Sequence, residues 1–586
     1  MAEARFRGVS CRIAAEMRAT CCTMQKCGVS ALEKPAAGGN LRSTIKRRRR
    51  KHMPATYRNT VTSSALTRRA MFAQTFAAAL FAASRSAAQT APEDALAPEA
   101  EGTPFSFDWL TDRQRESATH EWTAPPVLDE EVSGLDYDTY RQIQFRPDHA
   151  RWSDPKARVV LHGYHPGWLF DRPVRLNEIV EGTSRPIRFT GSDFRYGDDI
   201  AERFPDDFEF PGIAGFRLNA PLNAPDRFDE VVSFLGASYF RALGKGNVYG
   251  LSARGLALNT AIGGEEEFPF FSEFWIERPE PGTSHVVFYA ALESPSVAGA
   301  YRFAITPGET TTIDVEQRLF FRNDVRQLGI APLTSMFLFA PNDVGPFHDY
   351  RERVHDSEAL IVDTTDHRFF RPLRNPETLA NSYVGANAPA AFGLVQRNRA
   401  FEDYLDAHAY YEKRPSLIVE PVGDWGRGAV RLIEIPTDLE SNDNIVAFWV
   451  PEGEIRAGDA REFSYRLHWG MAPLGSDTQF ARVLRTLTGF GGVAGINPQK
   501  DRQKFVIDFE AGKMTEPEDD APVEEVVSAV NGEIVETVLE RLEDPSLWRL
   551  VIEVRANGPA PVELKADLQQ GNRRLTETWL YQWKKS

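Results

Sequence analysis

Cysteine is missing from almost all of this chain. The 586 residues hold four, at Cys11, Cys21, Cys22 and Cys27, and none follows. A disulfide framework, a thiolate nucleophile and a cysteine-bound metal are therefore excluded from everything after residue 27. Helical periodicity is scarce beyond Asp108. No strand–helix alternation and no Gly-rich phosphate loop accompany it, which argues against a nucleotide fold. Internal repeats are absent, and the body lacks an apolar run long enough to span a bilayer. Positive charge is short there too. Of 68 Lys+Arg and 83 Asp+Glu, 17 and 3 fall in the first 90 residues, leaving 51 basic against 80 acidic residues in the rest. A body that acidic is a poor partner for nucleic acid or an anionic membrane, whereas a neutral sugar polymer remains compatible with it.

The amino-terminal region is of another kind. Arg68 and Arg69 precede an apolar, alanine-rich stretch from Ala70 to Ala83, too short for a comfortable membrane span. Ser86 and Ala88 then supply small residues at a cleavage site before Gln89. This reads as a twin-arginine export signal over residues 53–88, followed by a Pro/Ala/Glu-rich disordered spacer at 89–104. Such signals begin a chain, so Met53 is the expected start. Residues 1–52, with all the cysteines and the basic run Lys46–His52, are expected to be a mis-annotated upstream extension. The mature chain is expected to be periplasmic and not membrane-spanning.

What is present from Asp108 onward is strand. Short runs such as "ARVVLHGYH", "HVVFYAALES", "TTTIDVEQRLFF", "AVRLIEIP" and "FSYRLHWG" recur between Pro, Gly and Asp. The pattern breaks after "YRLHWGMAP" into a Gly-rich segment and resumes with "KFVIDF", "WRLVIEVRA" and "ETWLYQW". Asn531-Gly532 within it is a hairpin signal. The expected fold is all-β: a large β-sandwich of carbohydrate-active type over 105–470, a connector over 471–500, and a small immunoglobulin-like sandwich over 501–586. The two parts are expected to meet between about 471 and 483.

One stretch raises a question of function. "LESNDNIVAFW", Leu439–Trp449, becomes an unbroken buried-strand pattern from Ile445, yet Glu440, Asn442, Asp443 and Asn444 crowd its start. By residue type alone Asp443 reads as a turn residue before a core strand. Two other blocks carry acids and rings. "FHDYRERVHDSEAL" has His348-Asp349 and His355-Asp356, a spacing that converges no metal ligands in strand or loop. Asp356 there reads equally well as a loop-stabilising carboxylate. "FEDYLDAHAYYEKRPSLIVEP" has Tyr404, Tyr410, Tyr411 and Arg414; tyrosines at this density serve as core, or stack on sugars and pass protons. No Gly-x-Ser-x-Gly elbow is present, so acyl transfer has no support. Two carboxylates on a sandwich cleft suit glycoside hydrolysis, but 87 residues separate Asp356 from Asp443.

These blocks carry a resemblance. "LGASYFRALG", "VYGLSARGLAL", "EEFPFFSEFWIERP", "LGIAPLTSMFLF", "HDSEAL", "FGLVQRNRAFEDY", "YYEKRPS", "GDWGRGAVRLIEIPT", "NDNIVAFW" and "ETWLYQW" resemble the periplasmic glucan biosynthesis proteins, the OpgG/OpgD (MdoG/MdoD) family, from about residue 104 to 583. The export signal, "YYEKRPS" and "FARVLRTLTGFGG" look more like the OpgD branch. The resemblance implies a β-sandwich with a small immunoglobulin-like domain, and a role in making osmoregulated periplasmic glucans of β-1,2-linked glucose. It also implies an inverting endo-β-1,2-glucanase activity, without a cofactor or metal. It places the general acid on Asp443, the general base on Asp356 and a proton-relaying tyrosine on Tyr411. Glu440, Arg414, Trp425 and Tyr404 are the substrate-binding candidates. The chain departs from the pattern at Ile418, where the family has Trp, and at "TTDHRFFRPL", where a "GEW" block is lost. The competing reading is a non-catalytic glucan-binding factor that assists a membrane glucosyltransferase.

Overall fold

Alternation decides the architecture. In Thr311–Phe321 the side chains of Thr311, Ile313, Val315, Gln317 and Leu319 are buried, while Thr312, Asp314, Glu316 and Arg318 between them are half-exposed. That is the period of a strand with one face on a core. The computed structural model describes residues 102–585 apart from 473–479, 494, 496, 511–521 and 545. The upstream extension, the export signal and nearly all of the spacer expected from sequence lie outside the described residues.

The fold is all-β, built on two large sheets. One has 16 strands. It passes through Arg175–Val180, Phe270–Glu277, Val286–Glu293, Val297–Thr306, Thr311–Phe321, Ala460–Gly470, Ser416–Val422, Ala391–Val395, Ala359–Asp363 and Arg368–Pro372. The other has 10 and runs from Ala380–Asn387 through Arg427–Glu434, Ile445–Pro451, Leu328–Ser335, Ser252–Arg254, Tyr239–Ala242, Arg227–Leu235 and Gly215–Ala224 to Val160–Tyr164. The main core fills the space between them. Phe216, from the 10-stranded sheet, meets Phe274 and Phe288 of the other with ring centroids 5.0 and 5.7 Å apart, both edge-on, the arrangement aromatic quadrupoles favour.

The two faces of the 10-stranded sheet differ in kind. Phe216, Phe234 and Phe240 point into the core. Their neighbours Arg217, Ser233 and Arg241 are successive register partners and take the opposite face. That face is polar: Tyr164 Oη lies 2.9 Å from Ser233 Oγ and donates to Glu230 at 3.1 Å, Tyr249 donates to the same carboxylate at 2.6 Å, and Arg217 donates to it at 3.0 Å. A sheet that only needed a core would leave such a face to water. Here Ser233 and Arg241 are almost fully buried.

The outer face of the long sheet is covered by a helix, Phe107–Ser117, which the scarcity of helical pattern did not lead us to expect. Ser106 Oγ accepts the Trp109 amide at 3.1 Å as its cap, and Leu110 packs with Ile179 and Trp275.

Beyond residue 481 the chain forms a four-stranded sheet of Arg482–Gly491, Gln499–Glu510, Leu547–Ala556 and Gly532–Arg541. Thr578–Trp583, Val562–Gln570 and Glu524–Val530 instead extend the long sheet, joined to it where Phe369 and Phe370 pair in parallel with Thr578 and Trp579. Between the two lies a second core in which Phe505, Ile507, Leu550 and Trp579 pack with Ile361, Phe370 and Ile418 of the long sheet. Asn531-Gly532 does not close a hairpin. Glu524–Val530 pairs with Val562–Gln570, and Gly532–Arg541 pairs with Leu547–Ala556. A two-residue hairpin turn of the Asn-Gly kind needs positive φ at both residues; only Asn531 has it, at 61°. The turn hands the chain from one sheet to the other.

Glu577 ties this region to the rest. It is fully buried, accepts from both terminal nitrogens of Arg397 and from Arg368 Nε, and receives the Val483 amide at 2.9 Å. Burial alone would push its carboxyl up, but the two guanidinium groups overcome that and hold it below the usual value.

Candidate active site

The strand Ile445–Pro451 lies between Arg427–Glu434 and Leu328–Ser335, which is why its first five residues are all apolar and buried. The polar residues at its start have two separate tasks. Asn444 turns inward and clamps the chain: its Oδ1 accepts the Phe337 amide at 2.8 Å, and its Nδ2 donates to the carbonyls of Phe337 and Ile435 at 2.9 and 3.0 Å. Asp443, one residue earlier, is 3% exposed. Its Oδ2 lies 4.0 Å from Nη2 of Arg241, on the polar face of the 10-stranded sheet.

Asp356 is held by the residues next to Phe337. Val354–His355 pairs with Phe337–Phe339, the Asp356 amide donates to the Met336 carbonyl at 2.8 Å, and Ser335 Oγ donates to Ser357 Oγ at 2.8 Å. The segment 335–337 thus meets both chains: its Met336 carbonyl takes the Asp356 amide, and its Phe337 backbone is held by the side chain of Asn444, the residue after Asp443. The Asp356 side chain is fully buried and ion-paired with Arg414.

Arg414 brings in the tyrosine. Its guanidinium carbon stands 4.1 Å from the centre of the Tyr411 ring, and its Nε and Nη2 donate to the Ala409 carbonyl at 3.3 and 3.2 Å. Gln396 fastens the same loop to the segment of Asp356, donating to the Tyr411 carbonyl at 3.1 Å and to the His355 carbonyl at 3.3 Å. Tyr411 is 2% exposed and opens a short turn, Tyr411–Lys413. Tyr410 before it has a left-handed backbone, φ 48°, which a bulky residue adopts only when its surroundings enforce it.

A second arginine knits these loops at their rim. Arg351, with 12% of its side chain exposed, donates through Nη2 to Asp349 and Glu440, both at 2.8 Å, and through Nη1 to Asp406 at 2.8 Å. Its bond to Asp349 is the largest influence raising its own pKa and lowering that of Asp349. Glu440 is thus bonded to Arg351, with 44% of its side chain still exposed.

Other residues singled out by sequence take different positions. Tyr404 is fully buried, its hydroxyl on the Asn398 carbonyl at 3.2 Å. Trp425 packs among Phe392, Trp449, Phe463 and Tyr465 and gives its indole N–H to the Ser464 carbonyl at 3.1 Å. Both rings are spent in packing, so neither is a stacking platform for sugar. The exposed rings of these loops are Tyr350, Phe401 and Tyr410. Ile418 is fully buried in the second core; exchange of an aromatic there repacks an interior contact and removes no sugar-binding face. The two His-Asp pairs do not come together. His348 is exposed, Asp349 is held by Arg351, and His355 is stacked on Phe337 with Nδ1 2.9 Å from Gln396 Oε1. Burial lowers His355 to a pKa of about 3, so it stays neutral and donates to Gln396.

Arg241, Arg351 and the group of Tyr164, Arg217, Glu230 and Tyr249 were not apparent from sequence. Arg351 lies inside a block that was noted for its acids; the others, Tyr249 apart, sit in strands whose alternation signals only which face they take.

The fold and the site define an all-β protein with two deeply buried carboxylates, one of them beside a polar sheet face. The model of the family described as "Periplasmic glucan biosynthesis protein, MdoG" matches residues 105–583. The chain is 53% identical to the glucans biosynthesis protein G of Cereibacter sphaeroides over 85% of its own length and 93% of the relative's. It is 43% identical to that of Rhodopseudomonas palustris over 84% and 96%, and 42% identical to that of Pseudomonas aeruginosa over 82% and 92%. Among solved structures, a polysaccharide lyase is similar with a TM-score of 0.22 and 11% identity over 63% of this chain and 44% of its own, too slight a likeness to carry an argument. The chain belongs to the periplasmic glucan biosynthesis protein family. Among the described residues no helix is long and apolar enough to cross a membrane.

Proposed function

We propose that this periplasmic glucan biosynthesis protein hydrolyses the β-1,2-linked backbone of its glucan with inversion, and that residues 53–88 direct it through the twin-arginine route. The activity is the one the resemblance implies for OpgD-like members, while the relatives compared above carry the G name. The observation that supports it most is the shared segment 335–337: it binds the backbone of Asp356 and, through the Asn444 side chain, the residue next to Asp443, 87 residues away in sequence. In this reading Asp443 gives its proton to the glycosidic oxygen as the bond to the anomeric carbon breaks. Water attacks that carbon from the opposite face, and its proton passes through Tyr411 to Asp356. Arg414 counters the charge the base must carry, and Tyr350 and Tyr410 offer exposed rings to the sugar.

The test is release of oligosaccharides from linear β-1,2-glucan by the purified chain. Asp443→Asn keeps shape and loses acidity, so the rate should fall by roughly 10²–10⁴-fold with glucan binding retained. Asp356→Asn should fall similarly, and Tyr411→Phe should also lose activity. An Asp443→Asn protein as fast as the parent would show the acid to be elsewhere. If the parent binds glucan without cleaving it, the chain is the binding factor instead.

A further inference from the structure

We propose that Arg351 is a positioning residue for this hydrolysis: its one guanidinium binds a carboxylate from each of the three loops that carry Asp356, Tyr411 and Asp443. The inference rests on the catalytic reading above and adds a residue to it.

The geometry is specific. Asp349 lies seven residues before Asp356, Asp406 five before Tyr411, and Glu440 three before Asp443. All three carboxylates accept from Arg351, at 2.8 Å from the nearest nitrogen in each case, and Asp349 also takes the Arg351 amide at 2.9 Å and Nε at 3.0 Å. Among the described residues, the one short strand in these loops is Val354–His355, and it pairs with Phe337–Phe339, so no ladder joins the three loops to one another. A planar fork with five donors can hold three carboxylates at once; an ammonium cannot reproduce that arrangement.

The contact also reaches inward. Asp406, held by Arg351 through Oδ2, uses Oδ1 to accept the amides of His408 and Ala409 at 2.9 and 2.8 Å. The carbonyl of Ala409 in turn takes the Arg414 guanidinium, which pairs with Asp356 and covers the Tyr411 ring. A series of polar contacts therefore runs from Arg351 through Asp406, the Ala409 peptide and Arg414 to the base, Arg414 also lying over the ring of the relay, and a second arm, Glu440, ends three residues from the acid. Burial opposes ionisation of Asp406, but the two amides and Arg351 outweigh it and keep it below the usual carboxylate value. Arg351 touches none of the reacting atoms. It acts by fixing where they sit, and a misplacement of about 1 Å costs on the order of 10²-fold in rate.

The experiment compares the full-length parent with Arg351→Met, Arg351→Lys, Glu440→Gln, Asp406→Asn and the double variant Arg351→Met/Glu440→Gln, measuring kcat, KM and Tm on linear β-1,2-glucan. Arg351→Met should lose roughly 10²-fold in kcat, with KM within about threefold of the parent. Arg351→Lys should recover little of it. Glu440→Gln and Asp406→Asn, which each release one arm and keep the guanidinium, should lose about 10-fold each in kcat. Glu440→Gln should cost almost nothing further once Arg351 is gone, because the two act as one unit. Should the Arg351 variants not fold, the two carboxamide variants decide the matter alone. Parent-like kcat in both, or an Arg351→Met protein with lowered Tm and unchanged kcat, overturns the proposal and leaves Arg351 a structural residue. A parent that cleaves no glucan overturns the catalytic reading and this inference together.

Discussion

Gly250 has no side chain, and Arg414 occupies the space one would take. A β-carbon there would lie 2.9 Å from Cβ of Arg414 and 3.3 and 3.4 Å from its Cδ and Cγ. The stem of Arg414 cannot simply swing aside, because its head is held by Asp356 and the Ala409 carbonyl. Gly250→Ala should therefore displace the ion pair at the base rather than weaken the fold as a whole. We expect about a 10–100-fold loss of glucan cleavage with Tm lowered by a few degrees, read by rate assays beside thermal melts. Parent-like cleavage would mean that Arg414 is not required where it stands. Ile418 and Trp425 make the complementary point. The family's Trp at position 418 and this chain's Trp425 suggested sugar contact, but what surrounds these two positions is Phe370, Trp579, Trp449 and Tyr465.

At the scale of elements, the site depends on a junction rather than on any single strand. Asn444 closes three hydrogen bonds with the backbones of Phe337 and Ile435, which registers the start of the acid's strand against the segment that also binds the Asp356 amide. Each buried backbone group left without its partner costs about 1–3 kcal/mol. Asn444→Ala should lower unfolding stability by about 2–5 kcal/mol in denaturant titration, and activity per folded molecule should fall as well because Asp443 is the next residue. A stable Asn444→Ala enzyme with full activity would show that the strand pairing Ser335–Ile445 alone fixes the acid. The same junction explains why "NDNIV" looks ambiguous in sequence: within three residues one polar side chain clamps the backbone and another lies beside Arg241 on the polar sheet face.

For the whole molecule, the loop 341–343 is a further place where the strands beyond residue 481 reach the large body. Tyr581 donates to the Asn342 carbonyl at 2.7 Å, Thr488 Oγ1 donates to the same carbonyl at 3.1 Å, and Asp343 accepts the Asn375 amide at 2.7 Å. Arg374, Arg371, Glu434 and Tyr581 all bear on Asp343 or its neighbours. Burial raises the Asp343 carboxyl from 3.8 to about 6, with Arg374 and the Asn375 amide opposing the shift. A raised folded value means that the folded state binds the proton more tightly than the unfolded chain. This group's contribution is thus full below 3.8 and is lost as pH rises through about 6. Asp343→Asn removes that titration. The Tm of the variant minus that of the parent should therefore move in the variant's favour from about pH 4 to about pH 7 and then stay level. A difference that is flat across the range would show that Asp343 does not titrate in the folded protein near 6.

Sequence by itself determined the class of this protein. Alternating burial as in Thr311–Phe321 and the unbroken apolar run from Ile445 are written in adjacent residues, because backbone conformation and side-chain direction are local. The recognised blocks also named Asp356, Tyr411 and Asp443 without revealing how they relate in space. Only the tertiary structure decided that both acid loops meet the segment 335–337, that Arg351 links three loops, that Glu440 serves Arg351, and that Asn531-Gly532 joins two sheets instead of closing one. The reason is physical: these outcomes depend on which distant strands pair and on what fills the space around each side chain, and no window of neighbouring residues contains either.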